Sequence, residues 1–356
     1  MPERRARDNT LDFLRLFAAL VVVVAHSQTD LRAPFAWGAS ELVDGVGMFF
    51  IISGLLVYKS GESIYRRTGR WRDFFWNRYL RVAPAIYVFA ASAPFLLVAL
   101  GAVALPALAN PEMIVWLGAS FVLLPNYDPS VWQDFGTGVI NGQLWTIPAE
   151  VSFYLVVPLL VLLARRFGFW VMLTPMIVLS IVGPLLSAQG GLLQTVVHHT
   201  FLEKAAFFTV GIFWARYWGR VPANWWLFGV VLAVYLPVKV FALQTDVVGP
   251  IEPLLIAVPL GYLVVQFGYN GPLVLARLTQ RLGDLSYGTY IWHVLVINAF
   301  IWFGWTDDWW LVLIVVGVTL FVAWLSWHLV EKRALSLKRT TSREGVAAVA
   351  QSAADA

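Results

Sequence analysis

Ten mostly apolar stretches recur along the chain, at about 10–28, 43–60, 82–101, 147–165, 170–188, 200–217, 224–243, 250–268, 285–304 and 308–330. A helix of about twenty such residues, rising about 1.5 Å per residue, crosses the roughly 30 Å hydrocarbon core of a bilayer. The pattern therefore predicts an all-α integral membrane protein, a bundle of about ten transmembrane helices. Lysine and arginine collect in cytoplasmic loops, so their positions fix the orientation. With the N terminus inside, the inner segments hold Arg4, Arg5 and Arg7, then Lys59, Arg66, Arg67, Arg70, Arg72, Arg78 and Arg81. The pairs Arg165 and Arg166, Arg216 and Arg220, and Arg277 and Arg281 follow, and the tail adds Lys332, Arg333, Lys338, Arg339 and Arg343. The outer loops carry only Arg32, while Arg15, Lys204 and Lys239 fall within spans. Both termini are thus expected to be cytoplasmic. Trp225, Trp226, Trp305, Trp309 and Trp310 gather at span ends, as an aromatic belt requires.

One connection is irregular. Residues 113–124, MIVWLGASFVLL, are apolar but too short to cross, and read as a re-entrant or interfacial segment. Residues 126–142, NYDPSVWQDFGTGVING, are rich in turn formers and are expected to form an exposed loop on the far side, either a plain connector or a surface for an acceptor. No internal repeat or second domain is visible. Residues 1–335 form one membrane domain, and residues 336–356 are expected to be a disordered cytoplasmic tail. The opening MPERRAR before an apolar run imitates a signal peptide. However, the run contains Asp12 and Arg15 and ends without a small-residue cleavage site, so it is expected to be retained as the first span.

Composition agrees with this picture. Hydrophobic residues make up 59% and charged ones only 13%, against about 25% charged in soluble domains. Mean hydropathy is +0.71. The net charge of +4 is accounted for by the inner loops and does not imply a nucleic-acid partner. Cysteine is absent, which excludes disulfides, thiolate metal sites and thiol nucleophiles.

The chemistry then lies in the few ionisable residues inside spans, each costing roughly 2.5 to 3.5 kcal/mol to insert. Arg15 and His26 are eleven residues apart, so they share a helix face and stand about 16 Å apart in depth. They form a functional stripe, or else Arg15 snorkels to the headgroups and His26 ends the helix. In GVGMFFIISG, residues 45–54, the small residues offer a close-packing surface. Arg78 and Arg81 lie three apart on one face, suited to a phosphate and equally to the positive-inside rule. Glu150 is expected near the outer end of its helix, where it is able to orient an imidazole or accept a proton. The ninth span opens LSYGTYIWHVLV, with Ser286 as a cap and Tyr287, Tyr290 and His293 along one stripe. His198 and His199, adjacent and about 100° apart on a helix, are poorly placed to share a metal, and no zinc-hydrolase spacing, nucleophile elbow or phosphate loop is present. No metal site is expected. Glu203, Lys204 and Lys239 acquire no role from the sequence.

In order along nearly the whole chain, LDFLRLFAALVVVVAH, GVGMFFIISG, RYLR, LWTIPAEVSFY, SYGTYIWH and the closing Glu331 resemble the acyltransferase 3 family of polytopic membrane enzymes. The family's arginine, ten intervening residues and histidine match Arg15 and His26. The resemblance implies an O-acyltransferase of the cell membrane that moves an acyl group, most commonly acetyl, from acyl-CoA to a hydroxyl of a carbohydrate or glycan precursor. Acyl-CoA, in the commonest case acetyl-CoA, is then a co-substrate drawn from the cytoplasm, and no resident cofactor is needed. Arg15, Arg78 and Arg81 would hold its phosphates, His26 would be the general base, and Glu150 or His293 would orient it or stabilise charge. A transient acyl-histidine is the covalent alternative. Gly47 and the EKRAL ending depart from the family's usual residues, and the extracytoplasmic hydrolase-like domain that some members carry is not expected within these residues. The competing class is a transporter or exporter of a glycan or small metabolite, with the same residues lining a polar path. Oligomeric state is not legible.

Overall fold

The computed structural model describes residues 9–34, 39–220, 222–244 and 249–338. Arg4, Arg5, Arg7, Arg339 and Arg343 of the charge pattern, and all but the first three residues of the expected tail, lie outside them. The described residues form helices and no strand. In chain order the principal helices are α1 (Leu11–Asp30), α2 (Gly45–Thr68), α3 (Trp71–Ala99), α4 (Pro111–Phe121), α5 (Thr146–Phe167) and α6 (Phe169–Ser187). They continue as α7 (Ala205–Tyr217), α8 (Trp225–Gln244), α9 (Glu252–Asn270), α10 (Ser286–Trp302), α11 (Trp310–Ser326) and the short α12 (Lys332–Ser336).

Among the described residues, eight helical stretches are long and apolar enough to cross a membrane. The expected spans at 200–217 and 285–304 are shorter, as α7 has 13 residues and α10 has 17. Both are enclosed by other helices. Residues 205–212 of α7 are all buried, and so are all but three residues of α10. A helix wrapped by other helices does not have to match the lipid along its own length.

The core is drawn together by glycines. α2 and α7 make the most extensive helix pair of the fold, because Gly54 and Gly211 let the backbones touch. A Cβ on Gly54 would lie 2.5 Å from the Phe208 carbonyl oxygen, and one on Gly211 would strike the Ile51 carbonyl oxygen. The 45–54 motif is thus a packing surface, as its small residues predict. Asp44 caps α2 by accepting from Gly47 N at 2.6 Å.

The long connection departs from expectation. α4 packs on α3, with the Tyr87 hydroxyl donating to the Phe121 carbonyl at 2.9 Å. Residues 126–142 are exposed only in part: Asn126, Tyr127, Gln133 and Asp134 are exposed, whereas Trp132, Phe135, Ile140 and Asn141 are each at most 2% exposed. The segment descends along α10. Asn298 accepts from Thr137 N at 2.7 Å and donates to the Val139 carbonyl at 2.9 Å. Eight residues nearer the start of α10, Tyr290 contacts Thr146 at 3.0 Å. Its turn-forming residues serve a chain that must bend inside the bundle and satisfy its backbone there.

The glycine contact is directly testable. Gly211→Leu should destabilise the detergent-solubilised protein by about 3 kcal/mol or more, the cost of overpacking a closed interface. Gly229→Ala, in open space, should leave thermal unfolding within about 0.5 kcal/mol of wild type.

Candidate active site

α1 and α10 run side by side in the same direction. Near their starts, the Arg15 guanidinium lies 2.6 Å from Asp284; eleven residues further along α1, His26 meets His293. The expected stripe is therefore real as geometry: both α1 residues face α10 and find partners there. Asp284 also holds Arg81 at 2.7 Å and accepts from the Ser286 hydroxyl at 2.6 Å. Ser286 consequently does not cap the helix as expected, because the carboxylate two residues earlier is the stronger acceptor for its hydroxyl. The sequence reading passed over Asp284. Its signal was a lone carboxylate opening a buried span beside two arginines on other helices.

These residues line a cavity of about 430 Å³. Its polar end carries Arg15, Arg78, Arg81, Asp284 and Lys338; its apolar wall includes Val46, Phe49, Phe50, Leu56 and Ile147. Asp284 neutralises one of the two arginines it bridges. Arg78 has no carboxylate within ion-pair distance among the described residues, and its Nε is buried without a hydrogen-bond partner. A buried guanidinium in this state costs free energy that an anion would recover.

Glu150 opens into the same cavity, where it accepts from the Tyr154 hydroxyl at 2.5 Å and the Ser53 hydroxyl at 3.1 Å. The structure brings it to the arginine chamber and to neither histidine. The expectation of a place near the outer membrane surface fails because the preceding segment already descends along α10, so that α5 begins inside the bundle.

The histidines lie further along. Tyr290 lines the cavity, and its ring centre is 5.9 Å from that of His293. Its hydroxyl donates to the Gln143 carbonyl at 2.8 Å, and Phe49 packs edge-on against it. The protonation pattern follows from the acceptors. His293 Nδ1 is 2.9 Å from the Tyr290 carbonyl, which only accepts, so Nδ1 carries the hydrogen. Neutral His293 then presents a bare Nε2 to His26 Nδ1 at 2.8 Å, and His26 must donate. With both rings neutral, His26 Nε2 carries no hydrogen. His293 is fully buried, whereas His26 is half-buried. No cluster of three metal-ligating side chains occurs among the described residues.

With this geometry in place, comparison with known sequences is decisive. A family model described as an acyltransferase domain matches residues 8–328. The chain belongs to the acyltransferase 3 family. It is 29% identical to nodulation protein 10 of Rhizobium leguminosarum bv. viciae, over 93% of this chain and 94% of the relative. It is 27% identical to the exopolysaccharide production protein ExoZ of Rhizobium meliloti, over 77% and 81%. It is 26% identical to an O-acetyl transferase of Shigella phage Sf6, over 93% and 97%. No solved structure gives a significant match. The protein is a multi-pass membrane acyltransferase.

The Asp284 bridge should matter for stability. Asp284→Ala leaves Arg81 without its ion-pair partner and Arg15 with only the longer contact to Asp12 at 3.9 Å, and should cost about 3 kcal/mol. The readout is a lowered melting temperature in detergent, with a smaller loss in Asp284→Asn.

Proposed function

We propose that this acyltransferase moves an acetyl group from acetyl-CoA, bound from the cytoplasm, to a hydroxyl of a carbohydrate or glycan precursor at the cell membrane. The observation that carries the reading is the pairing, along one pair of parallel helices, of an arginine chamber with an unpaired guanidinium and a histidine relay with a free base nitrogen. The relatives' names, an O-acetyl transferase and an exopolysaccharide production protein among them, support both the group transferred and the class of acceptor. They also favour transfer over export.

The orientation rests on ten spans with both termini cytoplasmic. α10 supports this, since it starts beside Arg15 and ends where Asp307 N donates to the Leu31 carbonyl, so it covers the same depth as α1. α7, though short, is continued by the turn before it and by a 3-10 turn over Trp218–Arg220. The basic clusters then fall on the inner side and Arg32 on the outer.

In this reading Arg78 holds donor phosphate, with Arg15 and Arg81 fixed beside it by Asp284. The apolar wall takes the pantetheine arm, and Tyr290 and Phe49 stand where the thioester approaches the histidines. The acceptor oxygen attacks the thioester carbonyl carbon while His26 Nε2 takes its proton. The tetrahedral intermediate then expels the CoA sulfur, which leaves as the thiol on receiving that proton. His293 keeps Nδ1 of His26 engaged, so that Nε2 is the nitrogen that works; the imidazolium then donates through a bond already formed.

Mass spectrometry of surface glycans and lipid-linked sugars from expressing cells tests the proposal. An acetyl increment should appear with wild type and be absent with empty vector. His26→Ala should reduce the rate at least about a hundredfold while leaving acetyl-CoA binding intact, and an increment that survives in this variant would overturn the base assignment. Arg78→Ala should act the opposite way, raising the donor KM more than it lowers kcat.

A further inference from the structure

The cavity's lining includes one cation that does not belong to any membrane-spanning stretch. After α11 the helix widens into a π-turn over Trp327–Glu331 before continuing as α12. The widening turns buried Glu331 inward, where it accepts from the Ser326 hydroxyl at 3.0 Å. The chain then crosses beneath α3. The Trp76 indole donates to the Leu337 carbonyl at 3.2 Å, so the backbone is fixed just where Leu335 and Lys338 reach the cavity.

Lys338 has no ion-pair partner among the described residues. It faces Arg15, Arg78 and Arg81, of which Arg15 and Arg81 share Asp284 and Arg15 also has Asp12 at 3.9 Å. Burial first, and then the charges of Arg78, Arg81 and Arg15, push its ammonium down to about 8. A chain that needed Lys338 only for topology would leave it in solvent, like the neighbouring Lys332, which is exposed. Here the bond from the Trp76 indole to the Leu337 carbonyl holds the lysine's segment against repulsion from three guanidinium groups.

We infer that Lys338 is a donor-binding residue that closes the cavity mouth over the phosphate of the donor furthest from the thioester, the 3′-phosphate of the CoA ribose. The inference rests on the acyl-CoA reading above. The order of groups carries the assignment: along the cavity, the apolar wall, then the arginines, then Lys338 beyond the last span; along acyl-CoA, the pantetheine arm, then the pyrophosphate, then the 3′-phosphate. Lysine suits the outermost position, since a terminal phosphate asks for a point charge on a flexible stem rather than a fixed fork.

Equilibrium binding to the full-length purified protein, by calorimetry with acetyl-CoA and with 3′-dephospho-acetyl-CoA, tests this. Lys338→Gln should weaken acetyl-CoA about tenfold, the size of one partly solvated charged contact, and should bind the dephospho donor as wild type does, which also shows that it is folded. Lys338→Arg should keep most of the affinity, and Lys332→Gln, the same charge loss outside the cavity, should change it less than about twofold. Unchanged acetyl-CoA affinity in Lys338→Gln, or an equal loss for both donors, would overturn the assignment. Wild-type protein that binds neither donor would instead refute the acyl-CoA reading, and the assignment with it.

Discussion

Asp284 between Arg15 and Arg81 is the contact on which the site depends. Each charge would be expensive alone at this depth, and together they lock the starts of α1 and α10 and the inner part of α3 to one point. From that point the two parallel helices carry everything else by rise per residue. His26 is eleven residues beyond Arg15, and His293 nine beyond Asp284, so the relay forms about 14 to 16 Å further into the membrane. The bridge also sets the charge of the chamber. With Asp12 and Glu150 also in the lining, four cations there face three carboxylates, and the helices around them are held elsewhere as well.

They are held by close packing. Gly54 and Gly211 bring α2 and α7 into backbone contact, and α7 in turn packs on α6 and α9. This compact half needs no charged groups to define it, and it supplies α2 as a rigid wall carrying Val46, Phe49 and Ser53 into the cavity. The other half, built on α1, α3, α10 and α11, supplies the arginines, Asp284 and the histidines. Chemistry is thus placed at the seam between a part fixed by van der Waals contact and a part fixed by charge.

What the sequence revealed follows the same division. The stripe of Arg15 and His26 was legible because helix period and charge cost act within one segment, and the glycine surface of 45–54 was legible for a similar reason. Glu150 was misplaced in depth because sequence alone assumes that a span starts at the membrane surface. Here residues 126–142 first travel along α10, and no local pattern distinguishes turn formers in water from turn formers inside a bundle. Asp284 and Lys338 were missed for a different reason. Each looks ordinary where it stands, one at a helix start and the other in a basic tail, and acquires meaning only from arginines brought to it by other helices.

The separation of the chamber from the histidine relay has a chemical rationale. A thioester exposed to a water-filled base site would hydrolyse, so a transferase gains by keeping the base apart from the donor until both substrates are present. Tyr290 occupies that boundary with its hydroxyl tied to the Gln143 carbonyl and close to Thr146, and its own carbonyl tied to His293. Tyr290 thus both lines the cavity and, through its carbonyl, fixes which nitrogen of His293, and through it of His26, bears a hydrogen. Any movement of the α10 backbone at Tyr290 would disturb the histidine pair, because the carbonyl that sets its hydrogen pattern moves with it. That backbone is pinned at one end by Asp284 and along its length by the bonds to Thr137 and Gln143, so the histidine pair is held in register.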